Sequence, residues 1–174
     1  ETDLLFFASV PTATITFKTL AADDKGIPHA LEHLVLGKGA KGKHFNMLVA
    51  MSIGEYTAGT YADLTGYMFN TAAVMEDFYR LFEAYLDTLV HPDFTDPEIQ
   101  REIYNPEVVE AASTGELAIE EKGTVYNEMV SGMEKTDLAG WFELSRLAFG
   151  PKHPLALNFA GAPDSMRAVT VAEV

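Results

Sequence analysis

Residues 27–36 read IPHALEHLVL, an apolar stretch that carries two histidines and a glutamate. An α-helix has about 3.6 residues per turn, so side chains three and four positions apart lie on one face. His29, Glu32 and His33 therefore project together from one face of a predicted helix, and their spacing predicts a metal site there. In the alternative reading, the two histidines are buried without a metal. That arrangement costs several kcal/mol of desolvation unless each ring finds a hydrogen-bond partner.

The residues before this stretch predict a strand and a turn that lead into the helix. Residues 12–20, TATITFKTL, alternate apolar and polar side chains with a period of two, which is typical of a strand with one buried face. Residues 21–28, AADDKGIP, predict a turn, and Pro28 suits the first turn of a helix, where its missing N–H is not needed. The helix is predicted to end near residues 37–43, GKGAKGK.

The rest of the chain predicts further strands and helices in an α+β arrangement. A second strand is predicted at residues 64–73, where Tyr67, Phe69 and Thr71 alternate with Met68 and Asn70. Asp96 is predicted as the N-cap of a short helix. Helices are predicted at residues 74–90, 97–104, 116–133 and 138–150 and from Ser165 onwards. The pattern indicates a two-layer domain of a sheet plus helices, and no linker composition divides residues 1–174.

Composition and charge limit the classes of function. The sequence has 174 residues, of which 48% are hydrophobic, so it can bury a substantial core. No apolar run approaches the roughly 20 residues of a membrane helix, and residues 1–10 lack the features of a signal segment. The net charge of −14 argues against nucleic-acid binding and would attract basic peptides, although acidity can also serve only solubility. Without cysteine, a metal site must use His, Asp or Glu.

Several segments together resemble the pitrilysin/insulinase family of zinc peptidases. The pattern H-x-x-E-H is the inverted form of the zincin motif and marks the inverzincins. The other segments are TFKTLAADDKGIPHALEH, TAGTYADLTGYMFNTA, DFYRLFEAYLDTLVHPDF and KGTVYNEM. Within the family, the sequence most resembles the presequence peptidase branch, whose members carry similar GIPHILEH and GVVFNEM segments. The resemblance runs from about Thr12 to the last residue, and the inverted motif and YNEM are its most specific parts.

The resemblance implies a role for each residue of the site. His29 and His33 would bind one Zn²⁺ per chain, and Glu128 of YNEM would complete the ligand set. Glu32 would be the general base that takes a proton from zinc-bound water. Glu121 lies seven residues before Glu128 and is predicted on the same helix. It resembles the family acid that orients a ligand histidine through its other ring N–H, although it could equally be a solvated helix carboxylate.

A substrate-binding segment is implied at residues 57–60, TAGT. In the family, the peptide adds as an edge strand beside a segment of the form Asn-Ala-x-Thr, where main-chain hydrogen bonds supply affinity. Ala58 and Thr60 match this form, Thr57 replaces the asparagine, and Gly59 adds flexibility. These four residues are predicted to bind substrate; in the alternative reading they form only a turn.

The resemblance implies a zinc metalloendopeptidase that degrades short unstructured peptides, targeting peptides among them. Family enzymes combine two similar halves, and this sequence matches the zinc-bearing portion. We therefore expect a domain that is incomplete at its C-terminal end and inactive in isolation. A C-terminal half or a partner subunit would complete the active site. The alternative is a non-catalytic scaffold or assembly subunit of the same fold, which would have no need of the intact motif. The resemblance also suggests the lumen of mitochondria or of another organelle.

Overall fold

The computed structural model describes residues 10–110 and 115–174. The strands in these ranges are β1 Thr12–Lys18, β2 Gly54–Thr60, β3 Leu64–Thr71, β4 Glu107–Glu110 and β5 Leu117–Glu120. The α-helices are α1 Ile27–Gly37, α2 Gly39–Met51, α3 Met75–Val90, α4 Asp96–Ile103, α5 Thr124–Met133, α6 Thr136–Phe149 and α7 Pro163–Met166. Residues 1–9, where the sequence predicts no signal segment, lie outside the described residues. No helix of the described part has the length and apolar character that a membrane span requires.

A three-stranded antiparallel sheet in the order β1-β3-β2 forms one layer of the domain. The central strand β3 buries every second residue, including Tyr67 and Phe69, which confirms the predicted alternation. Strand β2 was not predicted, because its side chains are mostly exposed or half-buried and do not alternate. Within the described residues, β2 pairs with β3 alone, so its outer edge is open. Strands β4 and β5 form a separate hairpin.

Helix α1 lies between two hydrophobic cores, which explains why its sequence is so apolar. Val35 and Leu36 belong to the core that the sheet forms with α2 and α3. Ala30 and Leu34 belong to a second core, which includes residues of α4, α5 and α7. All four side chains are at most 6% exposed. The polar residues of α1 are therefore held at the boundary between the two cores.

The predicted amphipathic helix over residues 74–90 is confirmed as α3. Leu81 and Tyr85 are buried on its inner face. The ring of Tyr85 packs edge-on against Phe69 of β3, with 5.0 Å between the ring centroids. Helix α3 is thereby fixed to the inner face of the sheet.

Two of the predicted helix starts are wrong, and both have a local cause. Helix α4 is capped by Thr95, not by Asp96, because the Thr95 N–H donates to Glu98 Oε2 over 3.0 Å as in a capping box. The range 116–133, predicted as one helix, is instead β5 followed by α5. Gly123 separates the two with a φ of 144°, a value that an α-helix cannot contain.

Two further regions also differ from the prediction. Helix α2 was missed because its sequence contains Gly39 and Gly42 and has little amphipathic character. The helix predicted from Ser165 onwards is only the end of the short α7, followed by a 3₁₀ turn at Val171–Glu173.

Candidate metal centre

His29, His33 and Glu128 come together where α1 faces α5. His29 Nε2 lies 3.7 Å from Glu128 Oε1, and His33 Nε2 lies 3.4 Å from Glu128 Oε2. One donor atom from each side chain lies within 4.8 Å of the other two. Two imidazole nitrogens and a carboxylate oxygen are a donor set that Zn²⁺ uses at catalytic sites, where three protein ligands leave one position open. Among the described residues, this group could hold a metal ion.

The ring of His29 is fixed by a backbone carbonyl from the far end of the chain. His29 is 8% exposed, and its Nδ1 lies 2.8 Å from the carbonyl oxygen of Ala160. A carbonyl can only accept, so Nδ1 carries the hydrogen and Nε2 keeps its lone pair toward Glu128. Gly26 makes this approach possible, because a Cβ at this position would lie 2.5 Å from the amide nitrogen of Gly161. The turn before α1 and the loop of Ala160 therefore fit together only with glycine at position 26.

The ring of His33 is fixed by Glu102 of α4. Its Nδ1 lies 3.1 Å from Glu102 Oε1, and Glu102 is only 4% exposed. Burial alone would raise the pKa of the Glu102 carboxyl, but hydrogen bonds from His33 and Lys38 outweigh it and hold the pKa at about 2. Glu102 is therefore an ionised acceptor, and His33 donates its Nδ1–H and keeps Nε2 for a metal. The bond to Glu102, although opposed by burial, also raises the pKa of His33 above its usual value.

Acid is expected to destabilise the fold through Glu102. Its pKa falls from an ordinary 4.5 to about 2 on folding, so the ionised group stabilises the fold above pH 4.5 and this contribution is lost as the pH falls to about 2. A shift of this size corresponds to about 3 kcal/mol. We expect Glu102→Gln to lower the free energy of unfolding by about this amount at neutral pH. Urea unfolding at neutral pH and at about pH 3 measures the effect; equal pH dependence in the variant and the wild type would contradict it.

Glu32, the third polar residue of the motif, faces an open groove that borders on one of the two histidines. The groove has a volume of about 270 Å³, and His33, Tyr56 and Ala58 are among the residues that line it. Glu32 Oε2 accepts a hydrogen bond of 2.7 Å from the hydroxyl of Thr60 on β2. A carboxylate held in this way, next to a possible metal site, is placed for proton transfer.

The four residues of the predicted substrate segment all lie in the edge strand β2 and not in a turn. Ala58 lines the groove, and Thr60 donates to Glu32. Thr57 is exposed, and a Cβ at position 59 would lie 3.3 Å from the hydroxyl of Tyr61. That the segment binds substrate stays a prediction.

Glu121 does not lie on the helix of Glu128 as predicted, because Gly123 separates it from α5. Its carboxylate accepts hydrogen bonds from Arg167, Tyr104 and Tyr126, over distances of 2.6 to 3.0 Å. The Arg167 guanidinium and the two phenols hold the pKa of this carboxyl at about 2. None of the hydrogen bonds of Glu121 among the described residues reaches a ligand histidine.

Glu102 was missed by reasoning from the sequence, although the sequence carries a signal for it. Ile99, Glu102 and Ile103 are three and four positions apart and share the buried face of α4. A charged residue on an apolar helix face needs a buried partner, so its position alone could have marked it. Its partner His33 is 69 residues away in sequence, which no local pattern can indicate.

Comparisons with known proteins add to this geometry. No family model matches the sequence. The mitochondrial presequence protease of Emericella nidulans is 32% identical over 167 residues, which cover 90% of this chain and 15% of that protein. Presequence protease 1, chloroplastic/mitochondrial, of Arabidopsis thaliana is 30% identical over 166 residues, which cover 91% of this chain and 15% of the relative. The chain therefore spans about 15% of the length of these curated relatives.

One solved structure shows the same fold. The crystal structure of a peptidase M16 inactive domain from Pseudomonas fluorescens superposes with a TM-score of 0.63 at 15% sequence identity, covering 94% of this chain and 37% of that one. The match confirms the predicted α+β fold of a sheet plus helices.

Proposed function

This chain belongs to the family of the presequence proteases, and from that premise we propose that it carries the metal centre of a zinc metalloendopeptidase. The substrates would be short unstructured peptides, targeting peptides among them. The observation that carries the proposal is the convergence of His29, His33 and Glu128 beside the groove that Glu32 lines.

The donor set fits zinc. Both histidines use Nδ1 to donate to fixed acceptors, so both neutral rings offer Nε2, and Glu128 adds a carboxylate oxygen. When bound, zinc supplies Lewis-acid chemistry that polarises a peptide carbonyl and makes water more acidic. His29, His33 and Glu128 would hold the ion.

Glu32 would move the proton in the reaction. Its carboxylate would accept a proton from the attacking water and return it to the amine nitrogen as the peptide C–N bond breaks. Thr60 supports this role, because its hydroxyl holds Glu32 Oε2 at 2.7 Å and so limits the rotation of the carboxylate. The base is thus tied to the strand on which we propose that substrate lies.

An extended peptide would bind along the open edge of β2. Unpaired backbone groups of an edge strand can form a ladder with a peptide only if the peptide is itself extended, which selects unstructured substrates. The net charge of −14 would favour basic peptides over acidic ones. Ala58 lines the groove, and Thr60 donates a hydrogen bond to Glu32, the proposed general base. Both residues would lie next to the backbone of the bound peptide.

A C-terminal half or a partner subunit would complete the active site. In support, the side chain of Glu128 is 54% exposed, and the groove beside Glu32 is open. Metal-assisted hydrolysis gains from exclusion of water, because electrostatic interactions are stronger in a less polar surrounding. The surface of a second half or of a partner subunit, placed over the groove, would exclude water and supply this less polar environment.

Removal of zinc is expected to abolish peptide hydrolysis, and its return is expected to restore it. The assay uses the complete protein with any partner half present, an unstructured basic peptide, and mass spectrometry of the products. 1,10-phenanthroline removes the metal and excess zinc replaces it. Hydrolysis that survives complete removal of zinc would contradict the proposal. No hydrolysis in any metal state would favour the alternative, a non-catalytic scaffold or assembly subunit.

A further inference from the structure

We propose that the outward face of α6 is the interface of a symmetric dimer, in which two copies of this chain pack α6 against α6 in antiparallel orientation. The proposal does not depend on the zinc site. Three observations carry it: an exposed apolar stripe on α6, the order of large and small residues along it, and the charges at its two ends. The stripe, called the α6 stripe from here on, consists of Gly140, Trp141, Leu144, Leu147 and Ala148.

Helix α6 is apolar on two sides, although the described fold covers only one of them. Phe142 is buried on the inner side. On the outer side, Trp141, Leu144 and Leu147 are 54%, 62% and 84% exposed, and the two small residues of the α6 stripe are exposed as well. Single exposed apolar residues are common on protein surfaces, but a contiguous apolar patch indicates an interaction site. A helix that is apolar all round is normally buried.

The α6 stripe lies within a narrow sector of the helix surface. With 3.6 residues per turn, its other four members all lie within about 60° of Leu144. Gly140 and Leu147 lie on one side of Leu144, and Trp141 and Ala148 lie on the other. Apolar residues that recur in this way, three and four positions apart, are typical of the seam along which two helices pack. The stripe therefore has the form of a helix-binding surface.

The order of large and small residues in the α6 stripe suits a second copy of the same helix. A two-fold axis that passes Leu144 at right angles to α6 produces an antiparallel copy. It places Trp141 opposite Ala148 of the second copy and Leu147 opposite Gly140 of the second copy, while the two Leu144 side chains meet at the axis. Each large side chain thus faces a small residue, as close packing requires. Each contact also occurs twice, which defines an isologous interface.

Gly140 supports this arrangement, because the described fold gives no other reason for a glycine there. A Cβ at position 140 would have no described atom within 4 Å outside its neighbours and the nearby helix backbone. Apart from proline, glycine is the least favourable residue in the interior of a helix. In the dimer it leaves space for Leu147 of the second copy, and it lets the two helix axes approach closely.

The charges at the ends of α6 favour the antiparallel orientation. Asp137 lies in the first turn of α6 and Lys152 lies just after its last turn, and both are exposed. An antiparallel copy brings these opposite charges together, whereas a parallel copy would bring like charges together. The two helix dipoles also oppose each other in the antiparallel pair. Glu143, at the rim of the stripe, lies 3.1 Å from Arg146 of its own helix, which reduces its repulsion of a second copy.

The dimer is expected to be weak and to become stronger with added salt. A single helix face is smaller than the roughly 1,200–2,000 Å² of a stable interface, so we expect a dissociation constant of about 1–100 μM. Each chain carries a net charge of −14, and salt screens the repulsion between two such chains. Sedimentation equilibrium of the intact protein at low and at high NaCl measures both effects. A protein that stays monomeric up to about 1 mM would overturn the proposal.

Leu144→Glu tests the interface at its two-fold axis. It places two carboxylates against each other in an apolar surrounding, so we expect dimerisation to weaken by about 100-fold or more. The matched control is Leu117→Glu, which makes the same change at an exposed leucine of β5 and is expected to leave dimerisation unchanged. Unchanged dimerisation in Leu144→Glu, or an equal loss in the control, would overturn the proposal.

Introduced cysteines test the antiparallel register. The sequence has no cysteine, so each new thiol can pair only with another new one. A disulfide needs Cα atoms about 4.4–6.8 Å apart. On mild oxidation we expect Leu144→Cys to cross-link with itself, and Trp141→Cys to cross-link with Ala148→Cys when the two variants are mixed. Faster cross-linking of Trp141→Cys with itself than with Ala148→Cys would contradict the antiparallel arrangement.

Gly140→Ala separates the proposed contact from an effect on the fold. Alanine favours the helix, so the thermal midpoint of the monomer should stay the same or rise. The added methyl group occupies the space of Leu147 of the second copy, so we expect dimerisation to weaken by about five- to tenfold. A loss of stability and of dimerisation together would indicate a disturbed helix, and equal or stronger dimerisation would exclude the close approach at Gly140; either result would overturn the proposed register.

Discussion

Glu32→Gln is expected to abolish peptide hydrolysis and to leave the zinc content of the protein unchanged. Glutamine has the shape of glutamate, and its oxygen can still accept the hydrogen bond from Thr60, so the groove should keep its form. An amide cannot take up the proton that the attacking water must lose. The loss of a general base is expected to lower kcat by about 10²- to 10⁴-fold.

The measurement compares kcat/KM on an unstructured peptide with zinc per chain in the same samples. The matched control is Glu83→Gln, which makes the same chemical change at an exposed position of α3. We expect this control to retain wild-type activity. Near-normal hydrolysis in Glu32→Gln would mean that another group moves the proton, and loss of zinc would mean that Glu32 acts as a ligand.

His33→Ala and Glu128→Gln are expected to lose the metal itself. Each removes or weakens one of three donors that lie within 4.8 Å of one another. Loss of a partner behind a ligand costs about 10- to 100-fold in affinity, so loss of a ligand should cost more. Elemental analysis should find about one zinc per chain in the wild type and little in either variant.

The control for this second experiment is His44→Ala, at an exposed position of α2. It removes one imidazole from the same chain and is expected to keep its zinc. An equal loss of zinc in His44→Ala would indicate adventitious binding to surface histidines. A folded wild type that stays free of zinc after reconstitution would exclude the proposed centre.

The sequence predicted the parts of the centre that depend on short-range spacing. His29, Glu32 and His33 are neighbours on one helix, and any helix over these residues brings them to one face. Glu128 came from the resemblance of YNEM to a family motif. Spacing along the sequence alone could not have predicted Glu128 as a ligand, because its position relative to the histidines depends on how α5 packs against α1.

The parts that were missed depend on long-range packing. The contact between Glu102 and His33 joins residues 69 apart. Ala160 contributes its backbone oxygen, which every residue type has, so its side chain gives no sign of the role. The edge strand β2 lacked a signal for a different reason: strand patterns are visible when one face is buried, and most of its side chains are exposed or half-buried.

The placement of Glu121 failed because the chain before α5 is not helical: Glu121 directly follows strand β5 and precedes Gly123. A spacing of seven residues puts two side chains on one face only if the helix is continuous, and Gly123 interrupts it. If Gly123 is taken as the boundary of the helix, Glu121 lies outside the helix of Glu128, and the spacing of seven residues no longer places the two carboxylates on one face.

The hydrogen bond from His29 to Ala160 also bears on when the His29 ring can be oriented as the chain is made. It joins residues 131 apart, whereas the H-x-x-E-H motif is local. The motif can form a helix soon after synthesis of its own residues, but contacts of long sequence separation form late. A nascent chain would therefore carry both histidines without the oriented His29 ring at least until Ala160 has been made. The proposed hydrolytic activity would begin only once the domain has folded.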